Sequence, residues 1–204
     1  VSEKEKCVVC IENKIDAKEN KGTTAQKGQL ERYKQKIEET YPDYQQYYIF
    51  LTPDGEEASS PDIWLTMTYE TILNIDNVIG LSIATRPDSI TEDCLNYLEE
   101  LNKKTFLTVE LGLQTIHEKT SKLINRCHTL DCFNNMVEKL RKKNINVVVH
   151  IINGLPYETK EMMIDTIKYL NKLDIQGVKI HMLHILKNTE IEKLYNNENF
   201  KILS

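Results

Sequence analysis

The feature that most constrains the fold is a regular alternation of apolar strands and amphipathic helices after residue 77. Four apolar segments, rich in β-branched residues, are separated by segments with apolar residues at helical spacing. The strands are predicted at residues 78–84, 107–113, 146–152 and 177–184, and the helices at about 91–103, 131–143 and 159–172. This order is typical of βαβ units, so the sequence predicts an α/β fold with a parallel sheet.

The first part of the chain has a different composition. Strands are predicted at residues 7–15 and 47–52, with a helix at 24–40 between them. Residues 1–74 contain 9 Lys and Arg but 14 Asp and Glu, whereas all five His residues lie after residue 116. This shift predicts two domains, 1–75 and 76–204, with a seam near residues 74–78.

Charge and hydropathy argue against several classes of protein. The net charge is −5, and neither part is basic enough to indicate nucleic-acid binding from charge alone. No apolar run is long enough to span a bilayer, and no secretory signal opens the sequence. Five cysteines at irregular spacing do not form a disulfide framework, so a cytoplasmic location is expected.

Glu12 and Lys14 form the first candidate site. Side chains two residues apart on a strand point to the same face. A carboxylate there can hold Mg²⁺, and an ammonium group can stabilise charge on a phosphate. On the predicted helix that follows, Gln29 and Tyr33 are four residues apart and share a face. We expect this face to look toward the strand.

The segments IENKIDA, GQLERY and YYIFLTPDG occur in this order and resemble the PD-(D/E)xK nuclease superfamily over about residues 5–74. The resemblance implies a truncated restriction-endonuclease-like fold, with Glu12 and Lys14 as catalytic residues and Glu12 as a Mg²⁺ ligand. It implies that Gln29 and Tyr33 belong to the helix motif of one branch. The family also has an Asp upstream, and no Asp precedes Glu12 here. The alternative is a surface Glu and Lys on an edge strand.

Cys7 and Cys10 form a second candidate metal motif, because a Cys-x-x-Cys spacing can supply two zinc ligands. Cys127, His128 and Cys132 could complete the set. However, the sequence has no second Cys-x-x-Cys, and the pair flanks two valines in a predicted strand. We expect both cysteines to pack as small apolar side chains.

The ends of the later strands carry candidate ligand-binding residues. In a parallel α/β barrel, ligand sites lie where the strands end. Gly154-Leu155-Pro156 follows one strand, and its backbone could hold a nucleotide-like ligand. Gln114 and His150 can add hydrogen bonds, and Arg126 can bind a carboxylate. The structural alternatives are a loop cap for Gln114, a core histidine for His150 and a solvated charge for Arg126.

Together, the segments TRPD, VELGLQT, INRCHT, HIINGLPYET and VKIHMLHILKNT resemble the radical S-adenosylmethionine (SAM) superfamily over about residues 78–196. The similarity is to a branch of small enzymes related to the elongator-type tRNA-modifying members. The resemblance implies the second half of a partial (β/α) TIM-type barrel that binds SAM. It also suggests tRNA or DNA as a partner.

The same resemblance implies roles for individual residues. Gln114 lies where relatives contact SAM, Arg126 matches the arginine near the methionine carboxylate, and His150 falls where relatives often place an acidic ribose ligand. Gly154-Leu155-Pro156 match the turn beside the adenine. Ala84 stands where some relatives have a glutamate, so that contact is lost or made differently.

The superfamily binds a [4Fe–4S] cluster through three cysteines in a C-x3-C-x2-C run, and no such run is present. The sequence therefore predicts a SAM-binding fragment of a radical SAM enzyme that is catalytically incomplete. A nuclease-like segment is joined to it by natural fusion or, as we favour, by an artefact of gene prediction or assembly. The alternatives are a Mg²⁺-dependent nuclease and a non-catalytic nucleotide- or SAM-binding module. Exposed sheet edges are expected to cause self-association, detectable by light scattering.

Overall fold

The computed structural model describes residues 1–13, 21–23, 26–53, 55–197 and 200 of the 204-residue chain. Lys14 therefore lies outside the described residues. The chain divides into two compact units, Val1–Gly80 and Leu81–Ser204, each with its own sheet. Within the described ranges, no helix is both long and apolar enough to cross a membrane.

The first unit contains a three-stranded parallel sheet in the order β1-β4-β5. Its elements are β1 (Cys7–Asn13), β2 (Gly22–Thr23), β3 (Gln26–Lys27), α1 (Gln29–Thr40), β4 (Gln45–Thr52), β5 (Leu65–Thr68) and α2 (Tyr69–Leu73). The short strands β2 and β3 pair with each other in an antiparallel ribbon. Helix α1 begins later than predicted because β3 and the cap residue Gly28 precede it. Strand β5 has four residues, a pattern too short to predict from sequence.

The core of the first unit lies between α1 and the sheet. It consists of Leu30, Tyr48, Phe50, Ala58 and Trp64, with Cys10 and Ile37 packed against it. The rings of Tyr48 and Trp64 are tilted, with centroids 5.2 Å apart, a favourable aromatic geometry. Leu30 and Ile37 are two helical turns apart and form the apolar face by which α1 packs on this core.

The second unit follows the predicted alternation of strands and helices. Its elements are β6 (Gly80–Thr85), a 3₁₀ turn (Pro87–Ser89), α3 (Glu92–Lys104), β7 (Phe106–Gln114), α4 (Glu118–Leu123), α5 (Leu130–Lys142), β8 (Asn146–Asn153), α6 (Lys160–Leu170), β9 (Gly177–Met182) and α7 (Glu190–Asn196). The sheet order is β6-β7-β8-β9, and β7 pairs in parallel with β8, as β8 does with β9. The α/β fold with parallel sheets is confirmed.

Threonines fix the starts of the main helices in this unit. Thr91, Thr129 and Thr159 each precede a helix, and each hydroxyl accepts a hydrogen bond from a backbone N–H in the first turn. Such caps satisfy amide groups that have no partner inside the helix and typically stabilise it by about 1 kcal/mol.

The two faces of the second sheet differ in character. One face of β7 and β8 is almost completely buried, and its side chains are Leu107, Val109, Leu111, Leu113, Val147, Val149 and Ile151. Helices α3 and α5 contact β7, and α5 also contacts β8. Alternate residues on the same strands form the opposite, polar face, which carries Glu110, Gln114 and His150. The packed face therefore stabilises the unit, while the polar face is available for ligands.

Strand β9 is exposed on both faces at the end of this sheet order. Val178, Ile180 and Met182 are more than one third exposed. Exposed apolar side chains on an edge strand favour association. Self-association through sheet edges stays a prediction, with this strand as its structural basis.

Candidate functional site

Three of the four N-terminal candidate residues are joined by hydrogen bonds. The side-chain amide of Gln29 donates to Glu12 Oε1 at 2.9 Å and to Tyr33 Oη at 3.0 Å. The expected approach of this helix face to β1 is therefore confirmed. Among the described residues, however, no group of three or more His, Cys, Asp or Glu could hold a metal ion. The proposed Mg²⁺ site at Glu12 has no support in that part of the chain.

The Cys-x-x-Cys pair does not form a metal site as folded here. Cys7 and Cys10 are three residues apart on β1, so their side chains leave the strand on opposite faces. Cys10 packs against the core of the first unit, and burial, with a smaller effect of Glu12, raises the pKa of its thiol. A raised pKa opposes the thiolate that a metal requires. The described cysteines are all free thiols.

A buried carboxylate lies at the centre of the polar face in the second unit. Glu110 on β7 accepts hydrogen bonds from Ser82 Oγ at 2.5 Å, His150 Nε2 at 2.6 Å and Lys179 Nζ at 2.6 and 2.7 Å. The three donors come from β6, β8 and β9. We call Ser82, Glu110, His150 and Lys179 the Glu110 cluster.

The charges of this cluster keep Glu110 ionised. Burial raises the pKa of the carboxyl group, but hydrogen bonds from Lys179, Ser82 and His150 outweigh burial and lower the pKa to about 2. The Glu110 side chain is 10% exposed, whereas that of Lys179 is 52% exposed. The anion is thus held inside, and its balancing cation lies at the surface of the site.

A second histidine adjoins the cluster. The rings of His150 and His181 are 5.0 Å apart between centroids and inclined by 37°. His181 is two residues after Lys179 on β9, so both side chains lie on the same face of that strand. The polar face therefore combines two imidazoles, one ammonium group and one carboxylate.

Sequence reasoning missed three members of this cluster, Ser82, Glu110 and Lys179. It treated the strands as apolar runs, which is the usual pattern when both faces of a parallel sheet are covered. The signal was present as period-two alternation. In VELGLQ and VKIHM, charged or polar residues alternate with aliphatic ones. That pattern places all the polar groups on one face.

Gln114 adopts an unusual conformation at the end of β7. The pairing with β8 shifts register between Gly112 and Gln114, and Gln114 has φ +62°. Its side chain folds back over Gly112, where an added Cβ would lie 2.6 Å from Gln114 Nε2. Gln114 Oε1 is buried and has no hydrogen-bond partner among the residues that the structure describes. An unpaired buried acceptor typically costs about 1–3 kcal/mol, so this position favours a ligand that donates to it.

Arg126 is buried beside the same strand end and is not a solvated charge. Its Nη1 donates to the carbonyl oxygens of Leu113 and Thr115 at 3.2 and 2.6 Å, and its Nε donates to the carbonyl oxygen of His128 at 2.9 Å. Burial lowers the pKa of the guanidinium group. Its Nη2 is buried without a partner in the described part of the chain. The two N–H groups of this nitrogen are therefore available to a ligand.

The turn after β8 has a backbone geometry that favours glycine at position 154. This glycine has φ +81°, a left-handed conformation that other residues rarely adopt. Its N–H points to Met163 Sδ at 3.3 Å, and both Leu155 and Pro156 are buried. Ala84 lies on β6 with an exposed side chain, on the same face as Ser82. The predicted strand-end residues thus occur at β6, β7 and β8.

Parallel strands joined by helices, with polar groups gathered at the strand ends, define an α/β protein with a candidate ligand site at that edge of the sheet. Residues 4–170 match the model of the Radical SAM superfamily. Because this match includes most of the sequence, the chain belongs to the radical SAM superfamily.

Three similar proteins illustrate the relationship. The uncharacterized protein YtqA of Bacillus subtilis (strain 168) is 48% identical over 157 residues, which are 77% of this chain and 49% of YtqA. The tRNA uridine(34) acetyltransferase of Methanocaldococcus infernus is 28% identical over 126 residues, 60% of this chain and 23% of that protein. The structure of the Elp3 protein of Methanocaldococcus infernus with an N-terminal deletion has a TM-score of 0.53 at 20% identity, covering 90% of this chain and 35% of Elp3.

These matches change the interpretation of the first unit. The chain spans about half the length of YtqA and less of the tRNA uridine(34) acetyltransferase. The superfamily match extends from residue 4 to residue 170 and so includes the predicted seam near residues 74–78. One family therefore accounts for both parts. Neither the nuclease resemblance nor the interpretation as a fusion is supported by these comparisons.

Cys7 and Cys10 lie within the superfamily match. Their spacing is that of the last two cysteines in a C-x3-C-x2-C run. The described residues still do not fit a cluster. The two thiols lie on opposite faces of β1, and no group of three potential ligands occurs within the described ranges.

Proposed function

We propose that this chain is the SAM-binding part of a radical SAM enzyme related to the elongator-type tRNA-modifying proteins. The observation that supports this most is a pair of buried atoms beside the end of β7, Gln114 Oε1 and Arg126 Nη2, which have no partner within the described ranges. SAM carries an ammonium group and a carboxylate on one carbon, which match an acceptor and a cationic donor respectively. In this superfamily, SAM supplies radical chemistry when it is bound beside a reduced cluster.

The proposed contacts follow the strand ends. Arg126 Nη2 binds the methionine carboxylate, while its other donors hold the guanidinium group against the backbone. Gln114 Oε1 accepts a hydrogen bond from the ammonium group. His150 contacts the ribose, and the backbone of Gly154-Leu155-Pro156 lies beside the adenine. These residues bind and orient the cofactor.

The substrate of the complete protein is proposed to be tRNA. The support is the name of one relative, a tRNA uridine(34) acetyltransferase that shares 28% identity over 126 residues. The net charge of −5 gives this chain no general attraction for nucleic acid, so other parts of the protein would supply most phosphate contacts. A gel-shift assay with the complete protein and total tRNA tests this proposal, and unshifted tRNA would contradict it.

SAM binding by calorimetry tests the proposed function. Wild-type chain is expected to bind SAM, and Gln114→Ala to bind it about tenfold more weakly, because one hydrogen bond to a charged group is lost. Gly112→Ala is expected to weaken binding as well, since the new Cβ displaces the Gln114 side chain, which lies 2.6 Å away. That side-chain end can move, so the fold should persist.

The matched control is Gln35→Ala, the same substitution on the exposed surface of α1. It should leave SAM affinity unchanged. Absence of SAM binding by wild-type chain, or equal affinity in the Gln114 and Gln35 variants, would refute the proposed role of the strand end.

We further propose that these 204 residues do not assemble the cluster by themselves. Cys10 is held in the core of the first unit, and Cys7 faces the other way. After anaerobic incubation with iron and sulfide, the chain is expected to lack cluster absorbance, with iron content no higher in wild type than in Cys10→Ser. A cluster that forms on wild type and is lost in Cys10→Ser would show that β1 rearranges around it.

A further inference from the structure

The backbone makes a tight turn where β7 ends, with Gln114 at its centre. The N–H of Thr115 donates to the carbonyl oxygen of Leu113 at 2.8 Å, which closes a three-residue turn. Because Gln114 has φ +62°, this is a γ-turn with a left-handed central residue, a form that is rare and strained. Strained backbone of this kind persists only where the surrounding contacts hold it. The contacts that hold the turn therefore also set the direction of the Gln114 side chain.

Thr115 is the residue through which these contacts act. It is fully buried, and its carbonyl oxygen accepts a hydrogen bond from Arg126 Nη1 at 2.6 Å. Its hydroxyl group accepts from the N–H of His117 at 3.2 Å and donates to Glu158 Oε1 at 2.5 Å. A hydroxyl group has a single proton, so Glu158 receives the only bond that this group can donate. Thr115 thus connects the turn to both Arg126 and Glu158.

Glu158 comes from a different segment, the one between β8 and α6, and lies 43 residues after Thr115. Its own N–H donates to the carbonyl oxygen of Leu155 at 3.1 Å, which holds it in the turn that follows β8. A second bond joins the same two segments, because His117 Nε2 donates to the carbonyl oxygen of Met162 at 2.9 Å. The ends of β7 and β8 are therefore linked through side chains in addition to their strand pairing.

We propose that Glu158 is a positioning residue. Through Thr115 it holds the strained turn, and so it orients Gln114 Oε1 and Arg126 Nη2 toward the methionine part of the ligand without touching the ligand itself. Without the Glu158 carboxylate, the Thr115 hydroxyl group loses its acceptor, and Gln114 relaxes toward the negative φ that its residue type prefers. The carbonyl oxygen that orients Arg126 then moves with the turn. This inference rests on the proposed function in taking the methionine part of SAM as the group that Gln114 and Arg126 bind.

Two ligands separate the methionine part from the rest of the site. SAM carries this part, whereas 5′-methylthioadenosine keeps the nucleoside and lacks the amino acid. Thr115→Val and Glu158→Ala are each expected to weaken SAM binding by about tenfold, as expected for one hydrogen bond to a charged group, and to leave the affinity for 5′-methylthioadenosine unchanged. Thr115→Ser keeps the hydroxyl group, so it should bind SAM as wild type does. A general loss of structure would instead weaken the binding of both ligands alike.

A double-mutant cycle tests whether the two residues act through one hydrogen bond. The variant with both Thr115→Val and Glu158→Ala should bind SAM about tenfold more weakly than wild type, because both substitutions remove the same bond. A loss of about a hundredfold would mean that the residues act independently, and it would refute the proposed link. The matched controls are Thr108→Val, at a half-buried position near the other end of β7, and Glu161→Ala, at an exposed position in the first turn of α6. Both controls should bind both ligands as wild type does.

NMR reads the turn itself on chain labelled with ¹³C and ¹⁵N, because the one-bond Cα–Hα coupling of Gln114 differs between positive and negative φ. A positive φ is expected in wild type and in Thr115→Ser. A negative φ is expected in Thr115→Val and in Glu158→Ala.

Four results would overturn the proposal. They are a negative φ at Gln114 in wild type, a positive φ retained in Thr115→Val or Glu158→Ala, an unchanged SAM affinity in Glu158→Ala, and equal losses of affinity for the two ligands in these variants. The first needs no variant, so it decides the question even if a variant fails to fold. Equal affinity of wild type for SAM and 5′-methylthioadenosine, with the turn lost in the variants, would instead reject the proposed function and leave the role of Glu158 in the turn intact.

Discussion

Replacing Arg126 by methionine is expected to lower the free energy of unfolding of the second unit by about 3 kcal/mol, even though no ion pair is lost. Three backbone carbonyl oxygens, those of Leu113, Thr115 and His128, receive hydrogen bonds from this guanidinium group. Methionine can fill the space of the side-chain stem, but it removes the donor to the carbonyl oxygens of Thr115 and His128, while that of Leu113 keeps the backbone N–H of Thr115 at 2.8 Å. Bonds to a charged donor contribute about 1.5–3 kcal/mol each.

The net effect is smaller than the sum of the three bonds. Arg126 is 6% exposed, and burial lowers the pKa of its guanidinium group, which shows that the charge is costly to bury. Methionine removes that cost. Arg126→Lys should lie between wild type and Arg126→Met, because a single ammonium group cannot reach all three carbonyl oxygens in the geometry of the planar guanidinium fork.

Amide hydrogen exchange, measured by mass spectrometry on peptides from β7 and β8, is the suitable method because it reports on the second unit by itself. The single tryptophan, Trp64, lies in the first unit and would report on the wrong part of the chain. Arg86→Met is the control, since Arg86 is about half exposed and pairs with Asp88 at the surface. Equal protection in the Arg86 and Arg126 variants would contradict a structural role for the buried guanidinium group.

The strands and helices of the second unit were predictable because apolar residues recur in each of them at the spacing of a strand or a helix over six or more residues. Strand β7 was expected at 107–113 and runs from Phe106 to Gln114, and α5 was expected at 131–143 and runs from Leu130 to Lys142. Threonine caps and apolar spacing act locally, so they can be read from the sequence. The first unit has shorter elements, and its strand β5, with four residues, is too short to show a recognisable spacing of apolar residues.

The candidate site was predictable only in part. Gln114, Arg126 and the glycine turn at residue 154 were identified from their positions at strand ends, yet the contacts of Arg126 with backbone carbonyl oxygens depend on how three segments pack. The Glu110 cluster joins residues 28 to 69 positions away from Glu110. Sequence spacing does not show which polar residues of neighbouring strands meet, because register is set by packing and turns.

The nuclease resemblance shows how local motifs can mislead. Gln29 does meet Glu12 and Tyr33, so the geometric expectation was right. A carboxylate on a strand bound by a helix amide is nevertheless compatible with many functions. The superfamily match over residues 4–170 decided between families because it depends on the order of many segments at once.

Acid is expected to remove a large part of the stability that Glu110 provides. Burial raises the pKa of this carboxyl group, but hydrogen bonds from Lys179, Ser82 and His150 outweigh burial, so the pKa falls from 4.5 to about 2 in the folded chain. A carboxyl group with a lowered pKa stabilises the fold fully above its unfolded pKa, and the contribution disappears as the pH falls through the folded pKa. At about 1.4 kcal/mol per pKa unit, this contribution amounts to roughly 3 kcal/mol.

The measurement compares wild type with Glu110→Gln by hydrogen exchange or urea unfolding between about pH 6 and pH 2. The variant should be less stable than wild type near neutral pH, because Lys179 and His150 lose their anionic partner. The difference should shrink as the pH falls below about 4.5 and become small near pH 2, where the wild-type carboxyl group is about half protonated in the folded chain. Glu99→Gln removes a partly exposed carboxylate paired with Lys143, so it should show no comparable convergence. A difference between wild type and Glu110→Gln that stays constant with pH would mean that Glu110 contributes through packing and not through its charge.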